Sequence, residues 1–285
     1  MERFFCIAGL CWRIVTEEDW EPTGLLASFE AAPGDWDLTL EYRFCDRLPE
    51  PEGEPVYEDP GKRIYVRGGI QLRYGGPVGS GLEHARHYIS REGNRSLVLL
   101  LRAEPRERLS SYRVLETMEL EHRVVERAGF LLHASWIGRE GRGILFTAPS
   151  GTGKSTQAEL WRSLRGARVL NGDRVSVFSE PEPQVRGIPY CGSSGICAPG
   201  AMPLEAIVFL SQAKENRIRR LRGLEAFRRV WEGCSVNAWN REDLDRCARA
   251  VTRVLERVPV YHLACTPDEN AVRALEEALE KGVKP

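Results

Sequence analysis

The stretch GILFTAPSGTGKST, residues 143–156, restricts this chain more than any other. An apolar run ends in a Gly/Ser loop, and the loop closes on Gly153, Lys154 and Ser155 with a helical pattern after it. This order is that of a P-loop in which Ala148 stands where the first glycine is usual. Successive backbone N–H groups must converge on phosphate oxygens, and Gly151 and Gly153 allow the tight path without a Cβ in the way. The N-terminus of the helix adds free N–H groups and the positive end of its dipole. Lys154 would neutralise β- and γ-phosphate charge, and the Ser155 hydroxyl would help complete a Mg2+ that keeps several waters. Ser150, Gly151, Thr152, Gly153, Lys154, Ser155 and Thr156 are therefore the candidate cradle for a nucleotide triphosphate. Ala158, Trp161 and Leu164 give the helix an apolar face for a sheet.

The two sides of residue 110 differ in periodicity. In WDLTLEYRF, Trp36, Leu38, Leu40, Tyr42 and Phe44 alternate with polar residues, which places them on one face of a strand. Gly68-Gly69 between two apolar runs is a two-residue hairpin signal, and SLVLLL at 96–101 reads as a strand covered on both faces. The N-terminal MERFFCIAGLCWRIV reads as a first strand, since Arg13 interrupts it and no small-residue cleavage site follows. Pro105 and the charges around it mark a linker. Residues 112–128 then follow a helical period, with Leu115, Met118, His122 and Val125 on one face and Gly129 as the terminator. Beyond it strands and helices alternate to the end. The expectation is a mainly antiparallel β domain over 1–110 and an α/β nucleotide-binding domain over 111–285.

Composition excludes some functions. A formal net charge of -1 offers no electrostatic reason to bind nucleic acid, and no apolar run reaches membrane-spanning length. Eight cysteines include no C-x-x-C pair, which leaves reduced thiols and a cytoplasmic setting as the expectation. His84 and His87 lie three apart with no cysteine or carboxylate cluster beside them, so a metal site there is not expected.

Four quoted segments carry a family resemblance: SGTGKST with Thr152 inside it, GFLLHASWI with His133 ahead of the loop, VLNGDRVSV with Asp173, and VRGIPYCGSSGICAPG. Over residues 113–285 the chain resembles the HPr kinase/phosphorylase and phosphoenolpyruvate carboxykinase superfamily. The resemblance implies a P-loop kinase domain using ATP and Mg2+. Asp173 would be metal ligand and general base, with His133 as its helper. The chain departs from that pattern in two places. Arg174, or Gly172 on the other alignment, replaces a second aspartate, and Gln184 stands where a glutamate is expected; a single carboxylate beside a cation implies a mainly forward kinase. Carboxykinase chemistry needs a dicarboxylate-binding set of arginines on a far longer chain, so the kinase branch fits better. Its relatives that phosphorylate serine hydroxyls of ribosomally made precursor peptides, including those of lasso-peptide clusters, imply a serine-bearing peptide or small protein as partner. A free serine kinase and a non-catalytic ATP-binding scaffold are the alternatives.

Several residues keep two readings. Asp173 follows Asn171-Gly172, a strong hairpin dipeptide, and is either a site carboxylate, an ordinary turn residue, or both. His133 is either a site residue or a satisfied histidine on a half-buried strand. Residues 192–195 either line the acceptor side or form a plain loop. The arginines of NRIRRLRGLEAFRRV either attract an acidic peptide or make a solvated or subunit-contact surface. The β-rich region either adds a peptide to a sheet edge, or buttresses the kinase domain or a homo-oligomer.

Overall fold

The computed structural model describes residues 1–76, 85–102 and 109–283; His84 and Pro105 lie outside them. Chain contacts separate two compact units, Met1–Glu119 and Leu120–Pro285.

The first unit carries β1 (Glu2–Ile7), β2 (Leu10–Thr16), α1 (Gly24–Ala27), β3 (Glu30–Ala31), β4 (Leu38–Cys45), β5 (Tyr57–Asp59), β6 (Lys62–Arg67), β7 (Ile70–Gly75), β8 (His87–Glu92), β9 (Arg95–Leu101) and α2 (Ser111–Thr117). Among the described residues the strands form one sheet in the order β3-β1-β2-β4-β9-β8-β7-β6-β5. β4 runs parallel to both β2 and β9, and the remaining pairs are antiparallel. In β4 the alternation places Leu38, Leu40, Tyr42 and Phe44 inside, but Trp36 precedes the strand and is exposed. Gly68 and Gly69 both take positive φ, which makes the β6–β7 hairpin a tight primed turn. β9 is not covered equally on both faces. Ser96, Val98 and Leu100 are buried while Leu97, Leu99 and Leu101 are half-buried, so the apolar run serves one full face and one partial face.

The helix expected over 112–128 is two helices. α2 ends, Glu119 takes φ of 51°, and α3 (Leu120–Val125) begins. Leu115, Met118, His122 and Val125 are all buried as the period requires, and the break falls at a residue with no glycine to announce it. Ala128, not Gly129, adopts the left-handed turn that ends the segment. The sequence reading puts the domain boundary at about residue 110, ahead of α2. In the structure α2 stays with the first unit, where the Tyr42 hydroxyl and Thr117 Oγ1 are 2.6 Å apart.

The second unit continues with β10 (Gly129–Arg139), β11 (Arg142–Thr147), α4 (Lys154–Arg165), β12 (Arg168–Asn171), β13 (Arg174–Phe178), β14 (Gln184–Arg186), β15 (Ala201–Gln212), β16 (Arg217–Leu221), α5 (Gly223–Trp231), β17 (Cys234–Ser235), α6 (Arg241–Arg257), β18 (Val260–Cys265) and α7 (Glu269–Val283). The long strands β10 and β15 each serve two sheets, so the pairing β11-β10-β13-β14-β15 returns to β11. β11, β15 and β18 run parallel, and their carboxyl ends share one edge. Alternation along β11 builds two cores. Ile144 and Phe146 pack with Ala158 and Trp161 of α4 and Val272, Leu275 and Leu279 of α7. Leu145 faces Phe130, Val177, Val185 and the α6 stripe Cys247, Ala250, Val251 and Val254. With helices on both faces of this parallel segment, the loop after β11 is held at the strand ends, where open α/β sheets bind ligands.

All eight cysteines are free thiols; Cys6 and Cys11 face each other across the first hairpin with their sulfurs 3.6 Å apart. No helix among the described residues is long and apolar enough to cross a membrane.

Candidate phosphate-binding and transfer site

β11 stops at Thr147 and α4 starts at Lys154, so residues 148–153 form the loop expected between them. Gly151 and Gly153 take φ of 76° and 118°, the left-handed conformations for which glycine is suited. The backbone N–H groups of Gly151, Gly153, Lys154, Ser155 and Thr156 have no backbone acceptor among the described residues, whereas Thr152 donates to Pro149 O at 3.3 Å. Ser150, Ser155 and Thr156 are exposed, and their hydroxyls have no hydrogen-bond partner among the described residues. A row of unpaired donors beside a buried lysine suits an anion. Lys154 is buried and donates to the Ala148 carbonyl at 3.0 Å. Burial lowers its pKa, and the Asp173 charge partly opposes that shift.

Asp173 reaches this place by a departure from the expected hairpin. β12 and β13 do not pair with each other; both pair antiparallel with β10, Trp136 opposite Asn171 and His133 opposite Arg174. Gly172 and Asp173 therefore form a two-residue bend opposite Ser135 and Ala134 in a continuous run along β10. The Asn171 side chain holds it: Oδ1 accepts from the N–H groups of Asp173 (2.8 Å) and Arg174 (3.0 Å), and Nδ2 donates to Ile188 O at 3.0 Å. The Asp173 carbonyl accepts from Ala134 N at 2.9 Å, and the Gly172 carbonyl accepts from Ser135 Oγ at 3.1 Å.

Asp173 Oδ1 lies 3.3 Å from His133 Nε2. Burial and then the Lys154 charge lower the His133 pKa, with Asp173 acting the other way, and the net shift favours the uncharged ring. The structure thus brings Lys154, Asp173 and His133 together. Gly192–Ser194 forms a short 3-10 turn against the same carboxylate: a Cβ added to Gly192 would fall 2.9 Å from Asp173 Cγ and Oδ1. Residues 192–194 are part of the site's wall, a placement that sequence spacing did not decide.

The departures from the family pattern have clear structural consequences. Arg174 follows Asp173 in sequence, and its guanidinium stacks over Tyr190, 5.5 Å from the ring centroid. Gln184 sits in β14, where its Oε1 accepts from Arg186 at 3.3 Å. In the arginine-rich segment Arg217 pairs with Glu215, Arg219 with Glu225 and Arg229 with Glu232, which are surface ion pairs. No group of three or more His, Cys, Asp or Glu suited to a metal occurs among the described residues. Ser155 and Asp173 fit a Mg2+ that arrives with phosphates, since such an ion keeps waters and takes few protein oxygens.

Sequence reasoning missed a second feature beside the loop. A cleft of about 430 Å³ is lined by residues that include Thr156, Gln157, Leu210, Gln212, Cys265 and Pro267. Thr156 and Gln157 lie on α4, Leu210 and Gln212 on β15 and Cys265 on β18, so only the tertiary fold joins them and no local signal was available.

Residues 107–280 match the family described as SynChlorMet cassette protein ScmC. The chain belongs to this family. Among solved structures, the Hpr(Ser) kinase/phosphatase from Coxiella burnetii is similar at 16% sequence identity, covering 53% of this chain and 88% of that one with a TM-score of 0.29. No curated protein matches.

Proposed function

We propose that this chain is a Mg2+-ATP-dependent phosphotransferase that phosphorylates a serine-type hydroxyl on a peptide or small protein. The observation that carries the proposal is the position of Asp173, whose carboxylate lies 3.3 Å from His133 Nε2 and whose charge acts on Lys154.

In this reading the amides of Gly151–Thr156 and the Lys154 ammonium hold the triphosphate, and Ser155 and Asp173 hold Mg2+. The ion, when bound, neutralises phosphate charge during transfer. The acceptor oxygen forms a bond to the γ-phosphorus as the bond to the leaving ADP oxygen breaks. The Asp173 carboxylate takes the hydroxyl proton. His133, on the tautomer protonated at Nε2, donates to Asp173 Oδ1 and fixes the carboxylate. The Gly192–Ser194 turn limits how the carboxylate turns and faces the acceptor. Most of the rate comes from placement and charge neutralisation, as is general for phosphoryl transfer.

Arg174, standing where a second carboxylate would be, favours a second reading: a nucleotide-binding regulatory subunit without an acceptor. Intact-mass spectrometry after incubation with Mg2+-ATP separates the two. The acceptors are free serine, a small HPr-like protein, and peptides with internal or terminal serines. Phosphate addition to one acceptor class, reduced at least ~100-fold in Asp173→Asn while ATP binding persists, is the expected result. ATP binding with no transfer to any acceptor would leave the regulatory reading.

A further inference from the structure

The cleft missed by sequence reasoning lies beside the phosphate loop, and its lining includes none of Lys154, Asp173 or His133. No charged residue among the described ones lines it. Leu210, Ala213 and Pro267 supply apolar wall, and Thr156, Gln157, Gln212 and Cys265 supply polar groups. It opens at the carboxyl ends of the parallel strands β15 and β18, and Gln212 Nε2 joins it to the loop by donating to Gly151 O at 3.4 Å.

Gln157 gives the cleft a specific demand. The residue is only 2% exposed, its Nε2 donates to Cys265 Sγ at 3.4 Å, and its Oε1 has no hydrogen-bond partner among the described residues. A buried carbonyl left unpaired costs free energy, so such a group in a cleft wall marks a place for a donor. A flat ring with apolar faces and an N–H donor on its edge suits these walls, and a volume of about 430 Å³ lies in the range of small-molecule sites.

We propose that this cleft takes the nucleobase of the bound nucleotide, with the amino edge of an adenine donating to Gln157 Oε1. The proposal rests on the loop holding the triphosphate, as argued above. It assigns the two sides of the loop separate tasks. The neutral side near β15 and β18 selects the base, and the charged side at Asp173 receives the acceptor.

Calorimetric titration of the full chain tests this without requiring transfer. The titrants are Mg2+-ATP, the triphosphate of purine riboside (which lacks the amino group) and inorganic tripolyphosphate. The wild type should bind ATP about tenfold more tightly than purine riboside triphosphate, and that in turn more tightly than tripolyphosphate. Gln157→Met should bring ATP down to the level of purine riboside triphosphate and leave tripolyphosphate within about twofold. Because the purine series uses the wild-type protein, the result does not depend on the variant folding. Equal affinity for ATP and tripolyphosphate, or equal weakening of all three by Gln157→Met, would overturn the base site. No binding of any of the three would remove the nucleotide reading beneath it.

Discussion

The two units differ in how certain buried polar groups are met. In the first, Glu119 is 7% exposed, yet it accepts from Gln71 Nε2 at 2.8 Å, lies 3.2 Å from Arg91 Nε and has Arg73 at 3.9 Å. Its charge is met from within the fold. In the second, the buried Lys154 ammonium has one carbonyl acceptor, and the buried Gln157 carbonyl has none among the described residues. A buried charge met from within the fold serves the structure; a buried group left without a protein partner is one that a ligand can satisfy.

The largest expected effect comes from exchanging the two treatments. Glu119→Gln keeps the shape but removes the carboxylate that faces Arg73 and Arg91, and should cost about 3–5 kcal/mol in urea unfolding. Lys154→Met removes a desolvated charge, so stability should hold or rise, while tripolyphosphate affinity falls about 100-fold or more. A stability loss in Lys154→Met comparable to that of Glu119→Gln would break the comparison, because Lys154 would then be a structural charge.

A smaller effect tests the wall around Asp173. A Cβ on Gly172 would fall 2.0 Å from Ser194 Oγ and 2.4 Å from Ser194 Cβ. Gly172→Ala must therefore push the 192–194 turn off the carboxylate it backs. Transfer should fall about tenfold, since sub-ångström to ångström misplacement of a reacting group costs rate steeply. Adding Ser194→Gly to the same chain should recover most of it. A double variant no better than the single would mean that the turn only happens to lie near Asp173.

What was legible in the sequence follows from how local each cause is. The P-loop is a local object, so strand, loop and helix could be read from 143–156, and the Gly68-Gly69 turn likewise. Asn171-Gly172 left the hairpin reading open because the dipeptide signal is local while the outcome is not. An eleven-residue β10 pairs with both flanking strands, so the turn is a bend between them. The break at Glu119 was hidden for a similar reason. The 3.6-residue period was right about which side chains are buried, but a buried ion cluster, formed with residues of β7 and β8, fixed the backbone turn. Gln157, Gln212 and Cys265 meet only through the tertiary fold, and no spacing rule joins them.

A buried histidine of the first unit makes the finest test. His87 is fully buried, takes a hydrogen bond from Arg113 Nη1 at Nδ1 (2.7 Å) and has no partner for Nε2 among the described residues. Burial, with the charges of Arg73 and Arg113 adding to it, holds its pKa well below the ordinary value of 6.5. The unfolded chain therefore binds this proton first as pH falls. Stability that is whole above 6.5 is lost below it, by up to about 1.4 kcal/mol per pH unit from this one group. His87→Leu is expected to be less stable than wild type at pH 7 because Arg113 loses its acceptor, yet to have a shallower loss between pH 6.5 and 5. Urea unfolding across that range reads the slope. An unchanged slope would mean that His87 is protonated in the fold and that another group facing the ring, unlike Arg73 and Arg113, supplies an acceptor. His87 would then be met from within the fold, and its contrast with Gln157 would be sharper.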